Sequence, residues 1–270
     1  MFNNAKNGCL EIDGTTVDYV SFGEGEKTLV MITGLGDGLK NAKGMAVPFS
    51  IMYREYGEDR KVYVISRKNE LTEGYTTEDM AADVAKSMDM LGIEKADVIG
   101  ISQGGMIAQH FAADYPEKVD KLVLVVTAPE CNEYIDERVT DWIDMAERDA
   151  FEELLEDNVK TAYTEKMFTF YKTLIPAAAK IGHPGSYEKF IIMAEACKTH
   201  NSFHKLDKIK APVLIVGGER DIIVGADASR VLADNIKGSR LVMYHEYGHS
   251  VFEEAKDLSD IVMDFLNREN

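Results

Sequence analysis

Cysteine is scarce in this chain of 270 residues: Cys9, Cys131 and Cys197 stand far apart, and no C-x-x-C occurs. An odd, scattered set builds no disulfide framework and fits a reducing compartment. Basic residues are in deficit too, 30 Lys and Arg against 47 Asp and Glu, for a formal net charge of −17. A field of that sign repels phosphate backbones and anionic lipid, which argues against a nucleic-acid partner or polybasic membrane binding. Long apolar runs are missing as well. No stretch approaches the roughly 20 residues of a membrane span, and the opening MFNNAKNG has no apolar signal core. There is no internal repeat or low-complexity tract. These absences lead to the expectation of a cytoplasmic protein.

What is present is an ordinary globular composition, 45% hydrophobic and 29% charged. A chain of this length buries roughly 70–75% of its unfolded surface and folds without a disulfide or metal staple. Short apolar runs at 28–33, 61–66, 96–101, 121–127, 212–216 and 240–245 are unbroken and rich in Val, Ile and Leu. Such runs suit strands buried on both faces of a parallel sheet. Residues 10–12 and 17–22 read as an N-terminal hairpin turning at Asp13-Gly14. Helical spacing fills the gaps. A helix over 77–91 has Thr76 as N-cap, Tyr75 and Met80 spaced as a hydrophobic staple, and Gly92 as its stop. Others are expected over 103–115, 226–236 and 250–266. The alternation predicts an α/β fold: a mostly parallel, roughly eight-stranded sheet with helices on both faces.

Residues 129–206 break that rhythm. Val139, Trp142, Ile143, Ala146, Phe151 and Leu154 keep a spacing of three or four, as do Tyr163, Met167, Phe170 and Leu174, and no strand is evident. The chain therefore divides into a core over 1–128 and 207–270 and an all-helical insertion over 129–206, placed to cover a crevice at the carboxyl ends of the strands.

The sharpest motif is Gly100-Ile101-Ser102-Gln103-Gly104, a G-x-S-x-G between an expected strand and an expected helix. A turn that sharp lifts the serine hydroxyl above the sheet, and it leaves no room for side chains two residues before and after. Serine is a weak nucleophile unless a base and an orienting acid assist it. The order expected for this elbow is Ser, acid, His. Asp221 follows the penultimate strand, with Glu219 and Asp227 as substitutes, and His249 follows the last strand. The remaining histidines read as ordinary helix, insertion or strand residues. Backbone N–H groups of Gln103 and Leu35, the latter in Gly34-Leu35-Gly36-Asp37-Gly38, are the candidates to bind an oxyanion. That glycine run is no dinucleotide fingerprint, because position 39 is Leu and no helix is expected to follow at once.

His245-Glu246-Tyr247-Gly248-His249 matches H-E-x-x-H, the zinc-peptidase pattern. A zinc site needs both histidines on one face of a helix. Here an extended run leads in, Gly248 weakens a helix, and Phe252 and Ala255 stand where a longer motif needs Gly and His.

These residues resemble the α/β-hydrolase superfamily, in its lidded serine esterase, lactonase and haloperoxidase-like branch, over essentially the whole chain. The likeness includes 29–36, 98–105, 108–124 (AQHFAADYPEKVDKLVL), 210–221 and 248–253. It implies Ser102 as nucleophile, Asp221 as orienting acid, His249 as base, Leu35 and Gln103 as oxyanion donors, and a helical cap over 129–206. Two departures stand out. Thr33 occupies a position where many relatives have His, and Ser66-Arg67-Lys68-Asn69-Glu70-Leu71 keeps an Arg but lacks the glycines of a common relative motif. The expectation is a serine hydrolase of small to medium, uncharged carboxylic esters that works through an acyl-enzyme, with no metal and no cofactor. Met106, Trp142, Phe151, Tyr163, Met167, Phe168 and Phe170 are the candidate substrate-lining residues. The same triad could serve a lactone, thioester, amide or C–C bond, and the same fold could serve a slow-turnover sensor. A homo-oligomer is left open.

Overall fold

Asp13 and Gly14 sit at φ 50° and 83°, the positive values that a two-residue hairpin turn demands. They join β1 (Lys6–Ile12) to β2 (Thr15–Phe22), with Ile12 paired to Thr15. This computed structural model describes residues 4–268, so the first three residues of the N-terminal stretch read above lie outside the described residues. The other strands are β3 (Lys27–Ile32), β4 (Arg60–Lys68), β5 (Ala96–Ile101), β6 (Val119–Val125), β7 (Val213–Gly218) and β8 (Arg240–Tyr244). They form one sheet of eight strands in the order β1-β2-β4-β3-β5-β6-β7-β8. Pairing is antiparallel from β1 to β4 and parallel from β4 onward.

The strands are apolar throughout because both faces are covered. Val30, Ile32, Val98, Leu122, Leu124 and Ile215 enter one core. Their neighbours Leu29, Met31, Ile99, Val123, Leu214 and Val216 enter another. This is the strict period of two that a pleated strand imposes. α2 (Thr77–Met90) and α3 (Gln103–Asp114) bring Met80, Val84, Met88, Ile107 and Phe111 to the first core. α1 (Ala46–Met52) brings Ala46 to the second. Thr76 caps α2 as expected, and Asp79 completes a reciprocal capping box: the Thr76 hydroxyl accepts from Asp79 N–H at 3.1 Å, and the carboxylate accepts from Thr76 N–H at 2.9 Å.

Between β6 and β7 the chain is helical: α4 (Glu133–Glu147), α5 (Phe151–Ala162), α6 (Glu165–Lys172), α7 (Ile175–Gly182) and α8 (Glu188–Lys198). Its two ends leave and rejoin the sheet side by side. Cys131 N–H donates to His200 O at 3.0 Å and Ser202 N–H to Pro129 O at 2.8 Å. α9 (Ala226–Asn235) follows β7.

One expectation needs correction. The helix over 250–266 is broken into α10 (Val251–Glu254) and α11 (Leu258–Asn267), with Ala255 extended between them. The break is invisible to periodicity because Ala255 and Leu258 both still face the core. No helix follows the Gly34–Gly38 run at once, as expected: Leu35–Gly38 within it forms a single 3-10 turn, and α1 starts only at Ala46.

Candidate active site

β5 ends at Ile101 and α3 begins at Gln103, so Ser102 alone makes the reversal, at φ 55° and ψ −122°. Non-glycine residues rarely hold positive φ, and strain of this kind concentrates at functional positions. The two flanking glycines are required. A Cβ on Gly100 would lie 2.5 Å from Gly104 O, and one on Gly104 would lie 1.9 Å from Ile32 O. Ser102 N–H is held by Val125 O at 2.9 Å.

The loops after β7 and β8 bring Asp221 and His249 to this hydroxyl. His249 Nε2 lies 2.9 Å from Ser102 Oγ, and His249 Nδ1 lies 2.8 Å from Asp221 Oδ2. An ionised carboxylate can only accept, so Nδ1–H donates to Asp221 and Nε2 is left to accept the serine O–H. Asp221 is itself fixed by Ile223 and Val224 N–H groups, which donate to Oδ1 at 2.9 and 3.1 Å. The two substitute acids point elsewhere: Arg230 donates to Glu219 at 2.5 Å and to Asp227 at 3.2 Å.

Gln103 opens α3 and Leu35 opens the 3-10 turn. Amides in a first turn have no acceptor within their own helix. Gly34 lets this loop close on the elbow, since a Cβ there would already stand 3.3 Å from Ser102 Cβ. Beneath the loop lies the buried Arg67. Its guanidinium donates to Thr33 O, to Gly34 O at 2.7 Å and to Gln103 Oε1 at 3.4 Å. Asp37, also buried, accepts from Arg67 N–H at 3.0 Å and from Lys189 Nζ at 3.1 Å. Burial opposes its ionisation, yet the Arg67 and Lys189 charges hold its carboxyl below the ordinary range. The Gln103 amide reaches into the insertion, donating to Met193 O at 2.5 Å and to Cys197 Sγ at 3.0 Å. Burial pushes the Cys197 thiol up to about 12, so it stays protonated and unreactive.

A cavity of about 300 Å³ opens on Ser102 and His249. Trp142 and Tyr163 line it. Phe151 lines a second chamber of about 360 Å³, and the two spaces share Leu35, Gly36, Lys40, Trp142 and Asn158. The other expected lining residues are elsewhere. Met106 is 2% exposed and packs in the core, on the side of α3 away from Gly104 and Ala108, which stand against the strands. Met167, Phe168 and Phe170 lie on α6 away from both spaces, and Phe170 is 58% exposed. Sequence reasoning missed Phe49, Met52 and Tyr53, as well as Asn158, Phe252 and Glu253. Asn158 could have been noticed as a polar residue among the apolar positions of α5, and Phe252 and Glu253 by their closeness to His249. Glu253 accepts from the Tyr163 hydroxyl at 2.5 Å, and burial raises its carboxyl above the usual range.

The H-E-x-x-H residues share no helix. His245 is exposed and lies 4.0 Å from Glu219, while both nitrogens of His249 are engaged by Asp221 and Ser102. Among the described residues no three His, Cys, Asp or Glu side chains are grouped to hold a metal ion. Nor is any described helix long and apolar enough to cross a membrane.

Comparison with known proteins agrees with this fold. A family model described as alpha/beta hydrolase fold matches residues 27–169, and one described as serine hydrolase (FSH1) matches 146–261. The chain is 27% identical over 269 residues to a 2-hydroxy-6-oxononadienedioate/2-hydroxy-6-oxononatrienedioate hydrolase of Paraburkholderia phymatum, covering 93% of this chain and 91% of that protein. It is 27% identical over 187 residues to a pimeloyl-(acyl-carrier protein) methyl ester esterase of Neisseria meningitidis, covering 63% and 57%. Among solved structures, an alpha/beta hydrolase from a Medee basin deep-sea metagenome library superposes with a TM-score of 0.85 at 18% identity, over 97% of this chain and 98% of that one. The enol-lactonase of Burkholderia xenovorans LB400 superposes at 0.82 with 22% identity, over 97% and 100%. These structures share the fold. With a family model spanning more than half its length, this chain belongs to the alpha/beta hydrolase fold family, and it is a serine hydrolase.

Proposed function

We propose that the protein hydrolyses small to medium, uncharged carboxylic esters through Ser102, His249 and Asp221. One observation carries the reading: hydroxyl, imidazole and carboxylate form an unbroken hydrogen-bonded line beside two first-turn N–H groups. His249 takes the Ser102 proton as Oγ attacks the ester carbonyl. Asp221 keeps the imidazole oriented and stabilises the imidazolium. Leu35 and Gln103 N–H groups bind the oxyanion, each contributing about 3 kcal/mol to lowering the barrier. His249 then hands its proton to the leaving alcohol, and an acyl-enzyme remains on Ser102. Water deprotonated by His249 attacks that acyl group, and the imidazolium returns the proton to Ser102 Oγ as the acid departs. Every group these steps require is supplied by this chain. The α4–α8 insertion acts as a cap over the acyl group, with Trp142, Phe151 and Tyr163 as its contact residues. The enzyme needs no nucleic-acid partner.

An uncharged substrate fits the balance of the lining. Asp37 is matched by Arg67 and Lys189, and Glu253 is engaged by Tyr163. Among described residues lining the two spaces, Lys40 is the sole Lys or Arg, and it is exposed. A dianionic substrate, such as the name of the Paraburkholderia relative describes, would find little to neutralise it. A panel of p-nitrophenyl esters of increasing acyl length, assayed with wild type and Ser102→Ala, tests this. Turnover of neutral esters that disappears in the variant supports it. Turnover of lactones or dienedioates alone rejects the ester assignment.

A further inference from the structure

The loop carrying His249 is fastened on two sides. Toward the core, Arg220 N–H donates to Tyr247 O at 3.1 Å, and a Cβ on Gly218 would stand 2.4 Å from Gly248 O. On the other side the loop is tied to the helical insertion where α5 passes into α6. Ser250 N–H donates to Ala162 O at 3.0 Å, and the Tyr163 hydroxyl donates to Glu253. Glu254 accepts twice from Thr164, from its N–H at 3.0 Å and from its hydroxyl at 2.6 Å. α10, which presents Glu254, is only four residues long and ends where the chain becomes extended at Ala255. A helix that short has little rigidity of its own, so its position depends on such outside contacts.

Thr164 is spent in an unusual way. It is the N-cap of α6, yet its side chain caps nothing in its own helix. A threonine there ordinarily accepts from an N–H of the first turn. Here the hydroxyl instead donates to a carboxylate 90 residues away. That carboxylate also lies at the amino end of α6, where the helix dipole favours negative charge. A local contact is exchanged for a distant one, and the distant one begins five residues after His249.

Building on the proposed serine esterase reading, we infer that the Thr164–Glu254 pair is a latch that sets the position of His249. Both are positioning residues, since neither lines the cavity at Ser102. They act through the main chain from Glu254 back to Ser250, whose N–H is held by Ala162. Seating of the insertion and alignment of the imidazole are then one event. An insertion that lifts away takes the outer fastening of the base with it.

The test compares wild type, Thr164→Val, Glu254→Gln and Thr164→Ser. Measured are kcat and KM on a neutral ester, the rate and final extent of fluorophosphonate labelling, and Tm. Thr164→Val and Glu254→Gln should lower kcat and the labelling rate by roughly tenfold, as for loss of one charge-assisted hydrogen bond. KM should stay within about twofold, and every molecule should still label in the end, because the site is misaligned rather than lost. Thr164→Ser, which keeps the hydroxyl, should restore the rate. Wild-type rates in the Val and Gln variants overturn the inference. So does a loss that appears solely as a smaller labelled fraction, which is the mark of unfolding. A wild type that never labels at Ser102 overturns the esterase reading itself, and the latch with it.

Discussion

Removing the Arg67 guanidinium should disable the oxyanion loop while leaving the three triad side chains in place. Arg67 is 3% exposed and donates to the carbonyls of Thr33 and Gly34, the two residues before Leu35. Its charge also offsets that of the buried Asp37. Arg67→Met keeps the length of the stem and deletes every donor. Hydrogen bonds to a charged group are worth about 1.5–3 kcal/mol each, and leaving Asp37 with Lys189 alone adds to the loss. A destabilisation of about 3–5 kcal/mol follows, a sizeable part of an ordinary domain's 5–15 kcal/mol. The loop carbonyls then seek water, and Leu35 N–H turns from the place where the oxyanion forms. One donor lost costs roughly 10²–10³ in kcat. Arg67→Lys should fall between, since it keeps the charge but loses the second amino group, Nη1, which donates to the Thr33 hydroxyl at 3.4 Å. The assay is kcat and KM on a short neutral ester, with Tm measured in parallel and rates taken well below it. A folded Arg67→Met enzyme with kcat within about threefold of wild type would refute the reasoning.

Further outcomes follow from other parts of the molecule. Gly34→Ala places a Cβ 3.3 Å from Ser102 Cβ, so the loop or the elbow gives by a few tenths of an ångström; kcat on a short ester should drop roughly tenfold, with little change in Tm. Trp142→Ala and Phe151→Ala enlarge the linked spaces and should move the preferred acyl chain in an ester panel toward longer members, whereas Phe170→Ala, on an exposed residue, should leave the profile unchanged. His110 and His200 meet edge to face at 5.2 Å, and His200 shares a 2.8 Å hydrogen bond with Thr77. Burial pushes them down to about 4 and about 3, further helped by Lys205 for His110 and by His110 for His200. Both stay neutral in the fold while the unfolded chain takes up protons below about 6.5, so their contribution is complete above that pH and is lost progressively as pH falls toward 4 and 3. Urea unfolding at pH 7.5 and 4.5 should show a drop on the order of 3–5 kcal/mol from this pair, and His110→Gln should show a visibly smaller one; equal drops would contradict the assignment.

Much of this architecture could be read from the chain because its strands are buried on both faces, so unbroken Val, Ile and Leu runs marked them without ambiguity. Ser102 was legible for a different reason. The elbow is so tight that Gly100 and Gly104 have no alternative, and the constraint is written into consecutive letters. Asp221 and His249 followed from chain order. What stayed hidden depended on which neighbour a residue faces. The stripe on α6 announced a helix but not that Phe170 would point to solvent. α1 is too short for a period to show, so Phe49, Met52 and Tyr53 went unnoticed beside the cavity. The break at Ala255 left the apolar spacing intact. Arg67 was visible as the one retained residue of a run that otherwise departs from relatives, yet its hold on the Thr33 and Gly34 carbonyls is a contact across more than thirty residues.

The central claim is that the Ser102 hydroxyl is the nucleophile. Mass spectrometry of the protein after brief exposure to a fluorophosphonate tests it most directly. The account predicts one phosphonyl adduct per chain, mapped to the peptide bearing Ser102, slow to form in His249→Ala and absent from Ser102→Ala. An adduct on another residue, or undiminished labelling of Ser102→Ala, would contradict it.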